Sequence, residues 1–61
     1  MSIRDKTREL RDAANSLEIE LHSVMECKRQ ALGVAEFQLY EMREKEIIAE
    51  QSEILRKLRT L

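Results

Sequence analysis

From Leu17 to Met42 apolar residues recur at Leu17, Leu21, Val24, Met25, Ala31, Leu32, Ala35, Leu39 and Met42. That spacing of threes and fours places them on one broad stripe of an α-helix. The adjacent pairs Val24/Met25 and Ala31/Leu32 make the stripe wider than a two-in-seven seam, and a face that wide packs against more than one neighbour. The chain offers a sticky helical surface and little that looks like chemistry.

Sixty-one residues make one domain at most, near the lower limit at which a chain buries enough apolar surface to fold alone. Hydrophobic residues are 43% and charged residues 38%, with no Pro, one Gly, one Phe and one Tyr. A chain rich in Leu, Ile, Ala, Glu, Arg and Lys with helical periodicity reads as long helix or coiled coil. Its apolar fraction is too high, and its net charge of −1 too small, for disorder by composition. The single Cys27 forbids an internal disulfide and gives no metal-ligand cluster, so an intracellular, cytoplasmic home is the expectation. No stretch approaches the ~20 apolar residues of a membrane span. Arg4, Asp5 and Lys6 charge the start of the chain at once, unlike a secretory signal.

Ser2, with Asp5 three residues on, resembles a shortened capping box and marks an expected helix start. Arg4, Arg8 and Arg11 then share one face, with Asp5, Glu9 and Asp12 alongside, which reads as a solvated, salt-bridge-laced surface. Leu10, Ala14, Leu17, Leu21 and Val24 follow a 4-3-4-3 step, the pattern of a coiled-coil seam. Asn15 with Glu18 offers a second capping box, but the stripe runs through it without a slip, so a continuing helix is expected there.

Glu9-Leu10-Arg11, followed by Leu17-Glu18-Ile19-Glu20-Leu21 and Ser23, resembles part of the second rod coil of type I keratins. The resemblance covers residues 9–23, and the rod-end consensus of intermediate filaments is missing beyond it. What it implies is coiled-coil character, without assignment to that family.

His22 lies four residues from both Glu18 and Glu26, so it stacks between two carboxylates on a helix surface. Cys27 adjoins Lys28 and Arg29, which favour a thiolate. Without a nearby His or a resolving Cys, it reads as a small, partly buried hydrophobe at the edge of the stripe. Lys28 interrupts the seam between Leu21 and Ala35, where a polar residue costs stability but fixes register.

Around Gly33 the apolar residues spread over all sides. The stripe then re-emerges at Ile47, Ile48, Ile54, Leu55, Leu58 and Leu61, turned by more than a quarter circle. Two topologies satisfy that turn. One is an unbroken amphipathic helix of about 55–58 residues, ~85 Å long at 1.5 Å per residue, whose partner changes face in a coiled-coil or helical-bundle oligomer. The other is an αα-hairpin turning near Gly33, with arms 3–32 and 36–60, that dimerises into a four-helix bundle. Gly33 followed by Val34 suits a Schellman cap. No Ser, Thr, Asp, Asn or Pro stands between Val34 and Phe37 to start a second helix, and this favours the continuous helix. Glu41 with Lys45 and Glu53 with Lys57 support the second half as acid-before-base pairs four apart.

The expected function is that of a structural, oligomerisation or scaffolding module acting through helix–helix contacts. The alternative is a small helical regulator that binds another protein, or nucleic acid, through its apolar face or basic ends. The interface is assigned to Leu10, Leu17, Leu21, Val24, Met25, Leu32, Ala35, Leu39, Met42, Ile47, Ile48, Ile54, Leu55 and Leu58. Within it Leu21, Leu32, Leu39, Ile47 and Ile54 are expected to be buried, with Glu20, Arg29 and Glu50 exposed. A basic contact falls to Arg4, Arg8, Arg11, Arg56 and Arg59. Residues 1–11 hold four bases and two acids and residues 56–61 three bases, while residues 12–55 hold ten acids and four bases. Both ends are thus basic around an acidic middle. Asp5, Glu9 and Asp12 dilute the basic patch, and no aromatic accompanies it for base stacking, which weighs against nucleic acid. Catalysis is not expected: no glycine-rich loop cradles phosphate and no acid, base and nucleophile converge. No cofactor, metal, small molecule or membrane is expected. The partners are a second copy, another helical protein, or both.

Overall fold

Two helices account for nearly the whole chain: α1, Ile3–Gln30, and α2, Val34–Arg59, joined by residues 31–33. The computed structural model describes residues 3–61, so the expected cap at Ser2 lies outside the described residues. The all-helical reading stands, and of the two topologies the chain takes the hairpin. The helices pack against each other along a body 47 × 15 × 13 Å, little more than half the ~85 Å of an unbroken rod. A lone rod leaves its stripe in water, and folding back covers one helix with the other.

The turn is made differently from a Schellman cap. α1 stops at Gln30, and the Ala31 amide donates to the Lys28 carbonyl at 3.3 Å, a tightened last turn. Gly33 has φ −130° and ψ 156°, an extended conformation, and stands at the start of α2 as its N-cap. Its carbonyl accepts from the Phe37 amide at 3.0 Å. No side chain caps α2, as the absence of Ser, Thr, Asp or Asn requires, and Glu36 in the first turn complements the helix dipole instead. Leu32, expected inside, lies in this connection and is 99% exposed. At the other end Arg56, Lys57 and Arg59 occupy the last turn of α2, where cations meet the negative pole.

The inner face of α1 is regular. Thr7, Leu10, Ala14, Leu17, Leu21, Val24, Lys28 and Ala31 are all half-buried, an unbroken alternation of threes and fours. In heptad letters Thr7, Ala14, Leu21 and Lys28 are a positions, and Leu10, Leu17, Val24 and Ala31 are d positions. α1 runs through Asn15 without a break. The inner face of α2 keeps the same step with a different cast: Tyr40, Glu44, Gln51, Ile54 and Leu58 are half-buried and Ile47 is fully enclosed. Here Glu44, Gln51 and Leu58 are a, and Tyr40, Ile47 and Ile54 are d. Three of these six are polar or amphipathic, and among the described residues Ile47 alone is buried. The core is a single seam, one side chain deep.

Candidate functional site

Antiparallel packing gives the hairpin two unlike sides. In an antiparallel pair, rotation in one sense away from the seam leads to the same side on both helices. The g positions of both therefore share one side and the e positions the other.

The g side is charged and crosslinked. Its centre is Arg43 on α2, whose Nε donates to Glu20 Oε2 of α1 at 2.7 Å, with Nη2 at 2.6 Å from the same oxygen. Its Nη1 donates to Glu46 Oε2 at 3.0 Å and lies 3.9 Å from Glu50 Oε1. The hydrogen bonds to Glu20 and Glu46 hold the guanidinium charge and raise its pKa above the ordinary arginine value. Glu20, expected to be exposed, is half-buried because this bridge draws it across the seam, whereas Arg29 and Glu50 are exposed as expected. Cys27 also lies on this side and is exposed rather than partly buried, because its g position looks past the seam. Its sulfur neighbours the Tyr40 hydroxyl. Cys27, then Glu36, then burial and the hydrogen bond with Cys27 push the Tyr40 hydroxyl above its usual pKa.

The e side begins with one ion pair and continues as a mixed surface in which large apolar side chains stand open. Lys28 Nζ of α1 stands 3.4 Å from both carboxylate oxygens of Glu44 on α2 and 5.3 Å from the centre of the Phe37 ring, a cation–π distance. The side chains of the pair are only 26% and 20% exposed. The interruption at Lys28 is therefore matched by a second polar seam residue, which locks the register of the two helices. The e positions include Arg11, Glu18 and Met25 on α1, and Glu41, Ile48 and Leu55 on α2, with Arg4 and Val34 as the first of each helix. Met25, Ile48 and Leu55, with Phe37 beside them, are large apolar side chains open to solvent.

The assigned interface thus divides. Leu10, Leu17, Leu21, Val24, Ile47, Ile54 and Leu58 meet in the seam. Met25, Ile48 and Leu55 border it on the e side. Ala35, Leu39 and Met42 face away from the partner helix: Leu39, expected to be buried, is 67% exposed, because its c position lies on the outer flank. Sequence reasoning missed Tyr40, Glu44, Gln51, Glu20 and Arg43. Stepping back from Leu58 through Ile54 by fours and threes reaches Gln51, Ile47, Glu44 and Tyr40, and that step was the available signal.

Folding back brings the two basic termini of the chain to one end. Lys6, Glu9 and Leu10 share a hollow there with Lys57, Thr60 and Leu61. Arg4, Arg8 and Arg11 line a second, with Asp12 among them. Arg56 pairs with Glu53, and Arg59 is exposed. His22 is exposed and approaches Glu18 alone, at 3.9 Å, because Glu26 is engaged by Arg29 and Gln30, each at 2.9 Å. Among the described residues no group of three or more His, Cys, Asp or Glu is placed to hold a metal ion, and no helix is long and apolar enough to cross a membrane.

No family model, curated protein or solved structure matches the chain.

Proposed function

We propose that this chain is a non-catalytic helix–helix interaction module, a two-helix unit whose work is to assemble with a second copy into a four-helix bundle. The observation that carries the reading is the mismatch between core and surface. Among the described residues Ile47 alone is enclosed, while Met25, Phe37, Ile48 and Leu55 stand open along one side of the seam. Apolar residues at a, d and e are the pattern of a helix that packs on more than one neighbour, as in bundles. At ~25 cal/mol per Å² of apolar surface removed from water, covering that side adds substantially to a seam only one residue deep. Sedimentation and circular dichroism over a range of concentrations test the reading, with mass and helicity expected to rise together. A fully helical monomer throughout overturns it.

The gathered bases at the open end support a second reading, docking on an acidic macromolecular surface through long-range attraction. That binding is salt-sensitive and is lost in the Arg8→Glu, Arg59→Glu double variant. Retention of binding by that variant removes the reading.

A further inference from the structure

We infer that two hairpins join through their e sides end for end, the turn of one lying beside the open end of the other. The inference rests on the self-association proposed above and adds the surface used, its occupant and its polarity.

The choice of side follows from the two flanks of the seam. On the g side Arg43 already bridges Glu20, Glu46 and Glu50, and covering it strips water from several charges at once. On the e side the only crosslink between the helices among the described residues, Lys28–Glu44, sits low in the seam, and Met25, Phe37, Ile48 and Leu55 stand open along that side. The e side is the one whose burial costs least and removes the most apolar surface from water.

Polarity follows from charge. Positions 1–11 and 56–61 together carry a surplus of five positive charges, and positions 12–55 a surplus of six negative. The hairpin is therefore a rod with a basic open end and an acidic remainder. Two copies packed with their turns together place basic end against basic end. End for end, each basic end lies along its partner's acidic body.

The same preference appears residue by residue. Helix register sets e positions at three levels along the hairpin: Met25 with Glu41 near the turn, Glu18 with Ile48 in the middle, and Arg11 with Leu55 towards the open end. With turns together, Arg11 lies at the height of the partner's Arg11 and Glu41 at that of the partner's Glu41. End for end, the outer levels combine, so Arg11 lies at the height of the partner's Glu41 and Leu55 at that of the partner's Met25. The middle level sets Ile48 against the partner's Ile48, and Glu18 against the partner's Glu18, across the twofold axis. Glu41's contact within its own chain, Lys45 at 3.8 Å, is loose and leaves it able to turn. A twofold interface repeats each contact off its axis, so the Arg11–Glu41 pair counts twice.

The experiment uses the full chain with Cys27→Ser and one spin label attached at position 60. Labels on different chains are expected ~40 Å apart, the length of a helix of this size at 1.5 Å per residue. In parallel, Arg11→Glu and Glu41→Arg are each expected to raise the dimer dissociation constant about tenfold, and the double variant to restore it. Ile48→Glu is expected to abolish the dimer, and Leu39→Glu, on the outer flank, to leave it intact. Dimers with labels within ~20 Å, a double variant no tighter than the singles, or a dimer untouched by Ile48→Glu each overturn the arrangement while self-association survives. Monomers at every concentration overturn both.

Discussion

α1 and α2 are nearly equal in length and use their apolar residues in opposite ways. α1 concentrates most of them: Leu10, Ala14, Leu17, Leu21 and Val24 lie in the seam, broken near the turn by Lys28, while Ile19 and Met25 stand open. α2 divides them: Ile47, Ile54 and Leu58 point to α1, while Ile48 and Leu55 look out beside the seam and Leu39 and Met42 lie farther round. Glu44 and Gln51 take seam positions that aliphatic residues would otherwise fill. A helix with one apolar face is satisfied by one neighbour, and a helix with two adjacent faces requires a second. α1 is built mainly for the hairpin, with Met25 at its margin, and α2 is built for the hairpin and for something beyond it.

The largest effect expected from that contrast is at Ile47. Truncation of this enclosed side chain, Ile47→Ala, should cost about 2–5 kcal/mol, enough to remove most of the helical signal of so small a unit. Leu17→Ala, at a half-buried site on α1, should cost clearly less in the same denaturant titration. Equal losses at both sites would break the claim that the core is centred on Ile47. Next is the crosslink between the helices. Lys28→Ala leaves Glu44 four-fifths covered without its partner, and should cost about 1–2 kcal/mol, between the surface and buried limits. Replacing both, Lys28→Met with Glu44→Leu, should recover the loss in thermal melts. Glu26→Ala, which removes the exposed Arg29 pair, should change stability by less than about 0.5 kcal/mol.

Two smaller effects sharpen the comparison at the start of α2. Nothing lies within 4 Å of where a Cβ on Gly33 would stand, and its φ is negative. Gly33→Asp should therefore raise stability by about 0.5–1 kcal/mol, supplying the missing side-chain cap and stiffening the unfolded chain. No gain would show that the cap is not limiting. Tyr40, raised in the folded chain above the ordinary 10.0, should titrate above that value when followed by tyrosinate absorbance. Its contribution to stability is full below the unfolded-state value and is lost as pH rises through the folded one. Cys27→Ser, which removes the first cause of the shift, should bring the midpoint down.

The helical class and the seam of α1 were legible in the chain because Leu10 to Val24 repeat in an unbroken 4-3 step. The topology was harder to read, since Gly33 lacks a capping residue after it and local rules favour helix through the turn. Burial of one seam against the other outweighs that weak local preference, as tertiary packing commonly does in helices. The face of α2 was misjudged in part because periodicity was sought among aliphatic residues. Glu44 and Gln51 keep the heptad without being apolar, and Leu39 and Met42 are apolar without keeping it. The polar contacts between the helices, Arg43–Glu20 and Lys28–Glu44, lie 23 and 16 residues apart in the chain, so no local pattern announces them.

The central claim is that the hairpin's core is completed by a second copy, and the most direct measurement is the thermal midpoint as a function of protein concentration. Folding coupled to dimerisation makes the midpoint depend on concentration. For two chains of this length it should rise by about 5 °C per tenfold increase. A midpoint that stays fixed over a hundredfold range, with a monomer's mass in sedimentation, would contradict the account.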